Sequence, residues 1–164
     1  MSESYIEQLV AKKPSKPMQA GKIAAYVVCV IAGLIYFVSF NWIALIVAVL
    51  TGVLGYMASQ RVNIEYEYLY IDKEISIDRI YNREKRKHVE SYQVDKMEII
   101  APENSYHLDD YKRREVKVTD YSSGEEHAKK FVFYYENNQK IIFEPNEEMM
   151  KLIKNVAPRK TFLD

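Results

Sequence analysis

Six basic side chains crowd one short stretch of the chain: Arg79, Arg83, Lys85, Arg86, Lys87 and His88. They follow closely on a long apolar run. A cation next to a membrane gains on the order of 1 kcal/mol from an anionic leaflet, fading within a Debye length of roughly 8–10 Å. The cluster thus has the chemistry to hold anionic lipid headgroups or an acidic partner, with Arg79, Arg83, Lys85, Arg86 and Lys87 as the candidate binding residues. The same charges also serve simply to keep a strand edge soluble. On an extended strand Lys85 and Lys87 face one side while Arg86 and His88 face the other, so only part of the cluster can meet one flat surface.

A second grouping, His107 with Asp109 and Asp110, brings an imidazole beside two carboxylates. Such a trio can ligate a metal or move protons, but no partner motif stands elsewhere in the chain. His88 and His127 read as exposed strand or loop residues, and Cys29 as a small apolar residue. The sequence contains no G-x-x-x-x-G-K-[ST], G-x-G-x-x-G, H-E-x-x-H, C-x-x-C or G-x-S-x-G, and Gly124 is its only glycine after Gly55. Glycine-rich phosphate loops are therefore excluded beyond Gly55. No cofactor, metal or catalytic residue is expected. Lys plus Arg equals Asp plus Glu at 23 each, so no global field argues for nucleic acid. The tyrosines Tyr66, Tyr68, Tyr70, Tyr81, Tyr92, Tyr134 and Tyr135 sit at strand spacing and read as packing residues, not as a stacking platform.

The elements that carry these residues begin with the apolar run. From Ile23 to Met57 no Lys, Arg, Asp or Glu occurs. One helix from Ile23 to Ala58 would be about 54 Å long, against a hydrocarbon core about 30 Å thick. Asn41 and Trp42 lie near the middle, where Asn disfavours a helix interior and Trp favours a membrane interface. The run therefore reads as two antiparallel spans, Lys22 to Phe40 and Ile43 to Met57. It is too long for a cleaved signal peptide and lacks the polar stripe of a soluble hairpin. Lys12, Lys13, Lys16 and Lys22 precede the first span, Arg61 follows the second, and the turn is uncharged. The positive-inside rule then places both termini in the cytoplasm of a multi-pass cell-membrane protein. Gly33, Gly52 and Gly55 offer close helix packing, within the hairpin or between copies in a homo-oligomer.

Before the hairpin, Ser4-x-x-Glu7 reads as a capping box opening a short amphipathic helix with Tyr5, Ile6, Leu9 and Val10 on one face, ended by Pro14 and Pro17. After the hairpin the apolar period changes to two. Strands are expected over Ile64–Ile71, Ile75–Ile80, Lys85–Tyr92, Asp95–Ala101, Arg114–Asp120, Phe131–Glu136 and Lys140–Glu144. Turns fall at Asp72-Lys73-Glu74, Asn82-Arg83-Glu84 and Asn137-Asn138. The period then becomes helical: Asn146 caps a helix from Glu147 to Ala157 with Met149, Leu152, Ile153 and Val156 on one face. The expected organisation is an N-terminal segment over 1–21, a transmembrane hairpin over 22–60 and a cytosolic β domain over 61–164. The fold class is α+β: a transmembrane α-hairpin, then seven antiparallel strands closed by a C-terminal helix.

That order is the order of a pleckstrin-homology-like (PH-like) fold. Glu67-Tyr68-x-Tyr70, Ile75-x-Ile77-x-Arg79, Arg83-x-Lys85-Arg86-Lys87 and Val94-x-x-Met97-x-Ile99 resemble the bacterial membrane-tethered PH-like modules. The opening Ser2-Glu3-Ser4-Tyr5-Ile6-Glu7, with Asp120-Tyr121-Ser122-Ser123-Gly124-Glu125-Glu126 and Ile142-Phe143-Glu144-Pro145-Asn146-Glu147, resembles a family of short bacterial two-span membrane proteins of unknown function. The resemblance implies a non-enzymatic binding or assembly module at the cytoplasmic face. Its partners would be the lipid bilayer, anionic headgroups or another membrane protein. Two other classes compete: a homo-oligomeric structural membrane protein, and a subunit of a membrane enzyme with a site near His107. Fold alone does not choose among them.

Overall fold

The computed structural model describes residues 5–136 and 138–163. In chain order the elements are β1 (Ile6–Ala11), α1 (Lys16–Ser39), α2 (Trp42–Val62), β2 (Ile64–Ile71), β3 (Glu74–Tyr81), β4 (Lys85–Gln93), β5 (Ile99–Pro102), β6 (Lys117–Asp120), β7 (Phe131–Tyr135), β8 (Gln139–Phe143) and α3 (Glu147–Val156). They divide into two compact units. One holds the N-terminal segment to Lys13, Glu65–Ile80 and the chain from Arg86 onward; the other holds Pro14–Ile64 and Tyr81–Lys85.

The helical unit is an antiparallel pair. Pro17 stands in the first turn of α1, where its missing N–H costs nothing. Phe40 ends the helix in the left-handed region (φ 49°), and its N–H donates to the Tyr36 carbonyl at 2.8 Å. Asn41 caps α2 by accepting from the Ile43 N–H at 2.9 Å. The two faces interlock through small residues: a Cβ on Gly55 would meet the Tyr26 ring at 3.2 Å, and one on Gly52 would meet Cys29 Sγ at 3.3 Å. Both helices are long and apolar enough to cross a membrane, with mean hydropathy of 2.1 and 2.0 and only 6% of each apolar window buried within the structure.

The β unit is built from two four-stranded sheets, ordered β1-β2-β3-β4 and β5-β7-β8-β6. Edge-to-face aromatic pairs join their inner faces, Tyr68 on Phe143 at 6.0 Å and Tyr92 on Phe133 at 5.1 Å, while Phe133 meets Phe143 at 5.2 Å within the second sheet. The Tyr68 hydroxyl donates to the Tyr121 carbonyl at 2.6 Å and accepts from the Glu144 N–H at 3.3 Å, so this phenol is satisfied at full burial. The second sheet is covered on its other face as well. Ile99, Ala101, Val132 and Tyr134 pack with Leu108 under Tyr111, Val116 and Phe162. That double burial explains why four successive residues of β7, Phe131 to Tyr134, are all buried instead of alternating.

Several expectations need correction. The N-terminal helix is instead strand β1, pairing antiparallel with β2 from Ile6↔Tyr70 to Ala11↔Glu65; Ser4 lies outside the described residues. A six-residue helix is marginal in water, whereas β2 offers a full row of backbone partners. Ile6 and Val10 are buried at strand period. Between them Gln8 spans to the other sheet, donating to the Glu144 carbonyl at 2.8 Å and accepting from the Asn146 N–H at 2.6 Å. With β1, the described strands number eight. Val94–Lys96 forms a 3-10 turn, shortening the strand expected from Asp95 to Ile99–Pro102. β6 begins only at Lys117 and runs parallel to β8, a direction that alternation cannot encode. On α3 the buried face is Met149, Met150 and Ile153, with Leu152 and Val156 only half-buried.

Candidate functional site

The basic stretch divides between the two units. In the helical unit, the turn after β3 is pinned to the end of α2: the Asn82 N–H donates to the Asn63 carbonyl at 2.8 Å, and Asn63 Nδ2 donates to Asn82 Oδ1 at 3.2 Å. Asn82 and Arg83 both adopt left-handed backbone (φ 51° and 59°), the pattern of a two-residue hairpin turn that matches strand twist. This turn places Lys85 beside the last turns of α2. There Tyr56, Met57, Gln60, Tyr81 and Lys85 line an open cleft of about 410 Å³.

In the β unit the charges are engaged internally. The Arg79 guanidinium lies 5.4 Å from the centre of the Tyr66 ring. Burial pushes the neighbouring Tyr121 phenol up, and the Arg79 charge opposes that rise. Arg86 reaches Glu67 Oε1 at 2.6 Å. His88 Nδ1 lies 2.8 Å from Asp78 Oδ1. Lys87 is exposed, and among the described residues it carries no ion pair. Of the five candidates, Arg83 and Lys85 belong to the helical unit with the α2 terminus, and Arg79, Arg86 and Lys87 belong to the β unit.

Glu67 is the residue that alternation along β2 concealed, because it occupies the polar face of its strand and is nevertheless 3% exposed. Strand β1 pairs beside it, with Leu9 opposite Glu67. Burial first, and a hydrogen bond with Glu7 second, hold its carboxyl above the usual range, against the lowering effect of Arg86. Glu7 is held below that range, first by the Tyr5 hydroxyl, which donates to it at 2.6 Å, and then by Glu67. The only sequence signal was the pairing partner itself, a strand upstream of the apolar hairpin.

The loop around His107 packs against the second sheet. The His107 ring stacks on Phe162 at 3.7 Å and lies 3.9 Å from the Tyr106 ring, helping to close the outer face of the second sheet. Asp109 is paired with Lys112 at 2.7 Å. No cluster of His, Cys, Asp and Glu able to hold a metal is present among the described residues. A smaller cleft of about 210 Å³ lies over Phe131 and Met150, flanked by Lys129 and Lys151.

Two packed sheets closed by a C-terminal helix, with an apolar helical pair inserted after the first strand, define a PH-like domain carrying two candidate membrane spans. The chain belongs to the family described as Bacterial PH-like domain (DUF6106), whose model matches residues 2–163. No curated protein and no solved structure matches the chain.

Proposed function

We propose that this protein is a non-catalytic binding or assembly module, anchored at the cytoplasmic face of the cell membrane by α1 and α2. The observation that carries this reading is the pairing of β1 with β2. The helical hairpin is inserted between two neighbouring strands of one sheet, so its two flanks return to the same folded unit. A chain so tied must enter and leave a bilayer on one side, which requires an even number of crossings. The apolar surfaces of α1 and α2, almost wholly uncovered by protein, are what a hydrocarbon core would cover. Lys12, Lys13, Lys16 and Lys22 flank the open end and the turn is uncharged, which favours the cytoplasm for that side.

Arg83 and Lys85 are the residues this reading assigns to the leaflet, with anionic headgroups or another membrane protein as partner. Gly52 and Gly55 already receive α1 within the hairpin, so a homo-oligomer would have to pack through other positions such as Gly33. The test is extraction and topology together. The protein should resist alkaline carbonate, and a reporter active only in the cytoplasm should work when fused before Met1 and after Asp164. Release by carbonate, or an active exported-only reporter at either end, refutes the reading.

A further inference from the structure

We propose that the cleft between the end of α2 and the β3–β4 turn seats the phosphate and glycerol region of one anionic phospholipid, with the Lys85 ammonium on the phosphate. The inference rests on the membrane-anchored reading above and assigns it a specific lipid seat. Along α2, Tyr56 to Gln60 stand about 21–27 Å from Trp42 at 1.5 Å per residue. With Trp42 at one interface of a core about 30 Å thick, these residues reach the other interface, the depth of lipid phosphates and glycerol.

The lining matches that depth. Met57 and the rings of Tyr56 and Tyr81 provide apolar wall for the start of acyl chains, and their hydroxyls together with Gln60 provide polar groups at the rim. Gln60 Nε2 donates to the Tyr56 hydroxyl at 3.1 Å, which holds that side of the cleft in place. The carbonyls at the C-terminal end of α2 would by themselves repel an anion, so an anion seated there needs a cation beside it. Lys85 supplies it. Among the described residues it has no ion-pair partner, and the paired asparagines Asn63 and Asn82 hold its turn against the helix end. The volume of about 410 Å³ suits a headgroup with its glycerol.

The experiment uses the full chain purified in mild detergent with phosphatidylglycerol or phosphatidylcholine added, and retained lipid read by native mass spectrometry. Wild type should retain phosphatidylglycerol in preference to phosphatidylcholine. Lys85→Glu should lower that retention about tenfold, the scale expected for reversing one near-surface lysine, while Lys85→Arg keeps it. Lys87→Glu, outside the cleft, should leave it unchanged. Equal retention of both lipids by wild type, or equal loss in Lys85→Glu and Lys87→Glu, overturns the seat. A protein that resists carbonate yet lacks lipid preference refutes this inference alone, whereas release by carbonate refutes the anchored reading beneath it.

Discussion

At Glu67 a carboxyl group is enclosed with one cation, Arg86, and one further carboxyl, Glu7. The two acids titrate in opposite senses. Glu67, held above its ordinary value of 4.5, favours the fold when protonated; that contribution is full below 4.5 and is lost as pH rises through the raised value. Glu7, held below the same value, contributes above it and loses that contribution as pH falls. Glu67→Gln removes the first dependence and keeps an acceptor for Arg86. The variant should therefore gain on wild type as pH rises above 4.5, and gain least below it. Melting temperatures of both proteins across that range measure the difference, and a constant offset would mean that Glu67 does not titrate there. At this scale the sequence was least informative, because burial of a strand's polar face depends on what lies over it.

Among the elements, α3 was legible in advance and its facing was not. The Asn146 cap, which accepts from the Met149 N–H at 2.8 Å, and the acidic first turn placed its start. The groove it fills takes Met149, Met150 and Ile153, so adjacent residues 149 and 150 share the buried stripe and Leu152 moves to its margin. Met150→Ala and Ile153→Ala should each cost about 2–5 kcal/mol in denaturant titrations of the full chain, the usual cost of emptying a core site. Leu152→Ala should cost about 1 kcal/mol. The reverse ranking would show the helix rotated from the position described. β1 is the opposite case: its capping-box pattern pointed to a helix, and tertiary pairing overrode that local signal.

For the molecule as a whole, the insertion of the hairpin between β1 and β2 has a direct consequence for fragments. A piece starting at Val62 lacks β1, leaving the β2 edge and Tyr70 without their cover, and an uncovered edge invites aggregation. Replacing residues 12–64 with an Asn-Gly turn would instead join Ala11 to its own pairing partner, Glu65, as an ordinary hairpin. The replaced protein should be soluble and monomeric by light scattering, with dispersed amide resonances, while the fragment from Val62 aggregates. Equal behaviour of the two would mean that β1 is dispensable.

Sequence alone determined the features that depend on local composition. The apolar stretch without charge, the break at Asn41 and Trp42, the two-residue period of Ile64–Ile71, the turn at Asn82 and the C-terminal amphipathic helix all follow from side chains acting on their near neighbours. Tertiary structure decided what depends on partners distant in the chain. It made the N-terminal segment a strand, because β2 offered it hydrogen bonds that no lone helix matches. It ran β6 parallel to β8, since strand direction leaves no trace in alternation. It also divided the basic stretch, binding Arg86 to Glu67 and standing Lys85 beside α2, because the ion pairs of a charge are set by which elements pack against it.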